Sequence, residues 1–489
     1  SQTGQRNMPF FGAVRRGASA VIEAIAGYEV GNSIRLNDND SAHMTWTPSG
    51  SPDGTRKLAI SFWLKLGNIA KGVSQLISQD WTASGSNALT LSINWLGGSD
   101  AAINLTMENN AGAAQVQRAT TQLFRDPTSW FHLYYVIDTG QTDDTACSMY
   151  INGTQVTAFG TKTNPSSAFD HGFLNNGKAI NLYRFQSGTN YYDGYASQVY
   201  IQDTPTSAAV GDAGEVDSEG EWRPVDVTGL TPGTNGFLQT YEVTPGTGNG
   251  AGTDSWGSNH FTDSGLAAND QVSCSPTNVF ATMSPIHNLR TSTLSDGNLL
   301  LTGADGWDTN YATQVIQGGK WYFEALEDGT DVSGPMVGVQ TLSSDDKVDA
   351  HIGSGTDGWA IYFEPASGVS KYTNNTNTTL SLGTAASGGK AMIAVDADNG
   401  KIWFGYDGTW SGDPAAGTGE AYSGLPSDLK IGGGTSGPGP ACRFGFGAAT
   451  LSSGGNADDN GYGDFEYAPP SGFLALCTAN LTALDFDPA

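Results

Sequence analysis

The chain is short of positive charge. Lys and Arg number 22 against 49 Asp and Glu, a formal net charge of −27. A surface of that sign repels phosphate backbones and anionic bilayers, so no nucleic-acid partner is expected. Charge of either sign is scarce: 15 % of residues are charged, against roughly 25 % in ordinary globular proteins. Cysteine is nearly absent. Cys147, Cys274, Cys442 and Cys477 have no CxxC spacing and no local histidine cluster, which excludes an obvious zinc site or disulfide framework and leaves buried thiols as the expectation. No apolar run approaches the ~18–20 residues of a membrane span, so no membrane insertion is expected. The apolar stretch after Arg15-Arg16 is short and interrupted by Glu23, a poor secretory core. Its apolar positions Val14, Ala18, Val21, Ile22 and Ile25 predict a short helix over 13–26. The six histidines are scattered. None joins a GxSxG, HExxH or Cys/His grouping, and there is no P-loop.

What is present is glycine, aromatics and alternation. With 489 residues the chain is too long for one core and fits two to four domains. Its 20 Phe, 18 Tyr and 12 Trp argue against global disorder. Period-two alternation runs through Leu58–Leu66, Trp130–Ile137 and Ser148–Ile151, with Gly, Asn, Asp and Ser between. Many short strands with such punctuation predict antiparallel sandwiches. Asn152-Gly153 and Asn399-Gly400 are the strongest short hairpin signals in the chain.

Four ordered motifs carry a first resemblance. They are Ile60-Ser61-Phe62-Trp63-Leu64-Lys65, Ser129-Trp130-Phe131-His132-Leu133-Tyr134-Tyr135-Val136-Ile137-Asp138, Tyr150-Ile151-Asn152-Gly153 and Tyr192-Asp193-Gly194-Tyr195-Ala196. In that order the region resembles the laminin-G-like, concanavalin-type jelly roll. Followed by Glu221-Trp222-Arg223-Pro224 and Thr234-Asn235-Gly236-Phe237, it looks like the laminin-G-like modules of bacteriophage virion proteins. A second set resembles the SPRY sandwich: Gly319-Lys320-Trp321-Tyr322-Phe323-Glu324, Val337-Gly338-Val339, Gly358-Trp359-Ala360-Ile361-Tyr362-Phe363, Ala394-Val395-Asp396 through Lys401-Ile402-Trp403-Phe404, and Cys442-Arg443-Phe444. The expected organisation is an assembly or anchoring segment over 1–29, a laminin-G-like domain over 30–244, a Gly/Thr-rich linker over 245–284, a SPRY-like sandwich over 285–470 and an extended tail over 471–489. The fold class is all-β, two antiparallel β-sandwiches with a short N-terminal helical segment. The GxGxxG-like pattern in 245–252 has no following βαβ helix and does not predict a dinucleotide site.

Candidate chemistry is sparse. Glu215-Val216-Asp217-Ser218-Glu219 is close to the ExDxE strand of laminarinase-type glycosidases, in which alternation puts three carboxylates on one side and a retaining pair sits roughly 5–5.5 Å apart. Here Ser218 replaces the usual apolar residue, and the motif follows a Gly-rich stretch after the closing strand. A solvated acidic loop is the plainer reading. Asp38 and Asp40, in Asn37-Asp38-Asn39-Asp40, offer oxygen ligands that suit Ca²⁺ without EF-hand spacing. Turn formation explains them as well, so no cofactor is expected beyond that Ca²⁺ alternative. Trp63, Trp130, Trp321, Trp359 and Trp403 fall on alternating strands and are expected in cores. Trp81, Trp95, Trp307 and Trp410 fall beside turn residues and are the glycan-contact candidates.

The two resemblances together imply a non-enzymatic virion protein of a bacteriophage, in a tail-fibre, spike or capsid-decoration role. Its expected partners are other virion proteins, further copies of itself as a trimer or higher oligomer, and host-surface glycans. The alternative is a polysaccharide-degrading glycoside hydrolase using Glu215, Asp217 and Glu219.

Overall fold

The computed structural model describes residues 27–481, apart from 70–71, 80–89, 97–100, 109–113, 176, 288–291, 304–305, 330–333, 366, 438 and 440. The expected helix over 13–26 lies outside the described residues. The described chain is all-β as expected, and its only helical elements are three-residue 3-10 turns. It divides between Val279 and Phe280 into two compact units, with Ser295–Gly297 counted in the N-terminal one.

Each unit is an antiparallel sandwich. In the N-terminal unit, one sheet runs in the order Thr154–Gln155, Cys147–Ile151, Phe131–Asp138, Lys57–Leu66, Gly194–Asp203, Ser33–Leu36, Gln271–Val272, with Phe237–Gln239 also paired to Gly194–Asp203. The second sheet runs Phe159–Thr163, Ala114–Thr120, Ala102–Glu108, Thr90–Leu96, Val73–Gln79, Ile180–Leu182, His43–Trp46, Thr262–Ser264. Between them lie Phe62, Leu64, Trp95, Leu105, Leu133 and Ile180. The first sheet is covered on its other face too. There Ala59, Tyr134 and Tyr200 pack against Val227 and Leu238 from the chain that follows the last long strand. This is why all but the first residue of Lys57–Leu66 and every residue of Gly194–Asp203 are buried. The Asn152-Gly153 pair closes its hairpin with φ of 46° and 74°, the doubly positive turn that matches strand twist.

The stretch expected as a linker over 245–284 belongs largely to this unit. Thr262–Ser264 pairs with His43–Trp46, and Gln271–Val272 pairs with Ser33–Leu36. The physical reason is that Phe261 and Val272, each 1 % exposed, find cover only by joining the sandwich edges. The glycines of the stretch, Gly246, Gly248, Gly250 and Gly265 with positive φ, serve as turns rather than as a tether.

In the C-terminal unit one sheet contains Leu300–Thr302, Ala441–Gly445, Lys320–Glu327, Lys390–Asp396, Lys401–Tyr406 and Thr409–Trp410 in that order. The other runs Trp307–Gln317, Asp428–Ser436, Met336–Thr341, Gly358–Tyr362, Gly368–Thr373, Thr376–Thr384. Trp321, Phe323, Ile361, Val395, Phe404, Ile431 and Phe444 form the core. The described part of the tail, to residue 481, is packed. Phe473 is fully buried, and Leu474–Ala475 pairs in parallel with Lys320–Glu327. All four cysteines are buried and outside any disulfide. Among the described residues no helix is long and apolar enough to cross a membrane.

Candidate functional site

The second sheet of the N-terminal unit turns one face to the core and one away from it. Met44, Ile180, Leu182, Ile77, Trp95, Leu105, Met107 and Val116 are in the core, so alternation sends their strand neighbours to the opposite face. Strand pairing then lines up one residue from each of the eight strands. Thr262 pairs with Thr45, Thr45 with Asn181, Asn181 with Ser78, and Ser78 with Ser92. The row continues from Ser92 to Thr106, Gln117 and Thr163. Every position carries a hydroxyl or a carboxamide. At the usual strand spacing of ~4.8 Å the row is about 34 Å long.

The row is built unevenly. Arg184 lies over its middle, donating from Nε to Asn181 Oδ1 at 2.9 Å and from a terminal nitrogen to Thr45 Oγ1 at 3.3 Å, while Ser78 Oγ donates to the Arg184 carbonyl at 3.0 Å. Toward the Phe159–Thr163 edge the row is half-exposed. Here Asn104 Nδ2 donates to Asn94 Oδ1 at 3.3 Å and to Thr106 Oγ1 at 3.0 Å, and Gln117 Nε2 donates to Asn104 Oδ1 at 3.4 Å. Amides and hydroxyls both donate and accept. The uncharged set at this edge matches the hydroxyls of a saccharide without the desolvation cost of a charge. The signal for this site is visible in the alternation of Leu91-Ser92-Ile93-Asn94-Trp95 and Ile103-Asn104-Leu105-Thr106-Met107. The glycan contacts expected from the sequence are tryptophans instead.

Those tryptophans have separate fates. Trp95 is 2 % exposed, inside the core, with its Nε1 donating to the Phe124 carbonyl at 3.2 Å. Its expected glycan role is corrected: the adjoining turn residues hid an inward strand position. Trp81 lies outside the described residues. Trp410 is half-buried on a hairpin and packs beside Tyr322, ring centroids 6.2 Å apart. Trp307 is half-buried among other rings of the C-terminal unit. Asp38 and Asp40 lie in a 3-10 turn. Asn37 caps it, accepting from the Asn39 N–H and donating to Asp40 Oδ2 at 2.8 Å. Among the described residues, no three His, Cys, Asp or Glu side chains gather as a metal-binding group.

The acidic motif is not a continuous strand. Glu215 sits in the short strand Gly214–Val216, whereas Asp217 begins the turn to Trp222–Pro224. Asp217 accepts the N–H groups of Glu219 and Glu221 and, at 2.9 Å, the Arg223 guanidinium. Burial alone would raise its pKa, but these donors outweigh it and hold the carboxyl below its usual range. Glu215 and Glu219 are exposed. The three carboxylates therefore do not share one strand face.

A buried histidine sits on the outer face of the first sheet. His132 Nε2 is 2.9 Å from Ser61 Oγ, and its Nδ1 accepts from Trp222 Nε1 at 3.1 Å. Burial pushes its pKa down to about 3, so it is neutral. Because Nδ1 accepts, the one proton is on Nε2, which donates to Ser61. That is the opposite polarity to a base activating a serine. The ring stacks with Trp63 at 4.8 Å and serves as a packing and hydrogen-bonding node.

Residues 38–210 match the family described as the concanavalin A-like lectin/glucanases superfamily. Among solved structures, the chain is similar to the SPRY domain of human HERC1, with 20 % identity, TM-score 0.27, and coverage of 33 % of this chain and 96 % of that one. It is also similar to the PSpry domain of TRIM65, with 16 % identity, TM-score 0.27, and 34 % and 88 % coverage. A heptameric SAP-like pentraxin from Limulus polyphemus gives 16 % identity, TM-score 0.28, and 37 % and 80 % coverage. No curated protein matches the chain in sequence.

Proposed function

We propose that this chain is a non-catalytic adhesion protein of a bacteriophage particle that binds neutral host-surface glycans. The observation that carries the reading is the half-exposed set of hydroxyls and amides at the Phe159–Thr163 end of one sheet, Thr106, Gln117 and Thr163 with Asn94 and Asn104 beside them, within a region matching a lectin and glucanase superfamily. Supporting it, Asp217 of the acidic motif is held by Arg223 as a turn former. The particle role rests on the order of the laminin-G-like and SPRY-like motifs. Binding at a single polar row is weak, because each hydrogen bond exchanges with water and nets only about 1 kcal/mol. An oligomer or particle-bound array converts weak sites into durable attachment through effective concentration.

The test is glycan retention. Immobilised neutral polysaccharides of host bacteria are expected to retain the chain. Asn104→Ala, which removes the amide that links Asn94, Thr106 and Gln117, is expected to weaken binding about fivefold, the worth of roughly one hydrogen bond. Equal retention of Asn104→Ala and the parent, or no retention by any neutral polysaccharide, overturns the glycan reading. Antibody labelling of phage particles tests the location independently.

A further inference from the structure

The C-terminal unit carries a second site of different chemistry. Trp307, His351, Tyr372 and Tyr362 form a closed cycle of ring contacts. The centroid distances around it are 4.9, 5.6, 5.8 and 6.1 Å, and adjacent planes meet at 62°, 83°, 79° and 62°. Those are the corner angles of a box. Three walls rise from the sheet: Trp307 at the start of Trp307–Gln317, Tyr362 on Gly358–Tyr362 and Tyr372 on Gly368–Thr373. Trp307 and Tyr362 come from strands with two others between them, and the positions in register with Tyr362 across that gap are Met336 and Gly434. Glycine leaves room for the long side chains to lean over the sheet. The floor is Met336, Ala360 and Ile352, all buried in one cluster with Tyr311.

His351, the fourth wall, comes from the loop between Met336–Thr341 and Gly358–Tyr362, and that loop is fixed. The Lys347 N–H donates to Tyr311 Oη at 2.9 Å, Thr309 Oγ1 donates to the Ala350 carbonyl at 2.8 Å, and Lys347 pairs with Asp357 at 2.8 Å. A site held this way binds without first ordering its walls. All four wall residues are half-exposed, whereas Tyr311 on the same face is 1 % exposed. Rings that served only to pack would follow Tyr311 inward.

We propose that this box takes a quaternary ammonium group. Ring faces are negative and attract a cation within about 6 Å of their centroids, and a near-square of this edge puts its centre about 4 Å from each ring. The walls meet at steep angles, which suits a round methylated head rather than a flat sugar ring stacked on one face. Local charge agrees. Glu364 faces the Tyr362 hydroxyl, and after burial its charge is the next cause that pushes the phenol above its usual range. The nearby lysines are already paired, Lys347 with Asp357 and Lys430 with Asp346. The whole chain, at −27, attracts cations. The site lies on a different sandwich from the polar row and does not depend on the glycan reading.

The experiment titrates the full chain with choline and with 3,3-dimethyl-1-butanol, its uncharged isostere, following tryptophan fluorescence and heat. Choline is expected to saturate, with the isostere about tenfold weaker, as a desolvated cation–π contact requires. Trp307→Leu and Tyr362→Leu are each expected to abolish the choline response, while circular dichroism shows the fold retained. Phosphocholine, titrated alongside, separates a free alkylammonium from a phosphate-linked head group; the acidic surface favours the free form. Equal binding of choline and its isostere by the parent chain overturns the proposal without reference to any variant. So does the absence of a saturable choline response, or its persistence in a folded Trp307→Leu.

Discussion

Replacing Arg118 by alanine is expected to cost the N-terminal unit about 3–5 kcal/mol of stability. Arg118 is 1 % exposed and faces the core, because it alternates with the outward Gln117. Its guanidinium is spent on neutral oxygens. Nε donates to the Cys147 carbonyl at 3.0 Å, and one terminal nitrogen donates to the carbonyls of Gln117 and Thr163 at 2.8 and 2.7 Å. The other reaches the Asp144 carbonyl at 3.5 Å and Asn164 Oδ1 at 2.7 Å. Cys147 belongs to one sheet and Thr163 to the other, so one side chain closes this end of the sandwich. Alanine leaves a cavity and several buried acceptors without donors, each a desolvation penalty of ~1–3 kcal/mol. Lysine keeps the charge but has no planar fork for divergent acceptors, and should recover less than half of the loss. Urea unfolding of the full chain, with the two units followed as separate transitions, measures this. A shift below about 1 kcal/mol in the N-terminal transition would mean that water replaces the guanidinium at little cost.

Acidity should act oppositely on two carboxyls of the C-terminal unit. Glu324 is fully buried. It accepts from Tyr322 Oη at 2.6 Å and from the N–H groups of Tyr467 and Glu466 at 2.8 and 3.0 Å. Burial outweighs these donors and, with the nearby Glu466 charge, pushes its pKa up to about 7. Glu466 is different. Burial would raise it too, but Ser452, Ser453 and Gly454 wrap it with backbone and hydroxyl donors, which bring it down to about 2.

A raised folded pKa means that the native state holds the proton more tightly. The Glu324 contribution is therefore complete below its unfolded pKa near 4.5 and is lost as pH rises through about 7. The lowered pKa of Glu466 gives stability present above about 4.5 and lost as pH falls through about 2. The C-terminal unit should gain about 3 kcal/mol from Glu324 on acidification from pH 8 to 4.5, at ~1.4 kcal/mol per pKa unit. Other carboxylates titrate in part of that range, so the measured quantity is the difference between the parent and Glu324→Gln. That difference should change with pH between 4.5 and 7 and be flat above 8. A flat difference throughout would show that the three donors, not burial, set the state of Glu324.

Local chemistry made much of this protein legible in advance. Trp321 is in the core between its sheets, as its strand alternation implied. Trp63, Trp130 and Trp403 are also buried, but alternation gives the core places to Phe62, Leu64, Phe131, Ile402 and Phe404 beside them. Asn152-Gly153 closes a hairpin because both residues tolerate positive φ. Trp95 misled for an equally local reason: a large aromatic beside turn residues looks available until its strand neighbours are known. The stretch 245–284 misled because its glycines outnumber Phe261 and Val272, the two side chains that decide where it goes.

By itself, the sequence determined the alternation of its strands, where the chain turns, and that Asn94, Asn104 and Thr106 point away from Trp95, Ile103 and Leu105. Those are consequences of a two-residue period and of backbone sterics, which act between neighbours. Only the tertiary structure decided which strand lies beside which. The polar row draws on positions from Thr45 to Thr262, and the aromatic box gathers Trp307, His351, Tyr362 and Tyr372 from three strands and a loop. Backbone hydrogen bonds are alike at every residue, so they cannot select a partner strand. That choice is made by burying the alternate faces of all strands at once, a property of the whole chain.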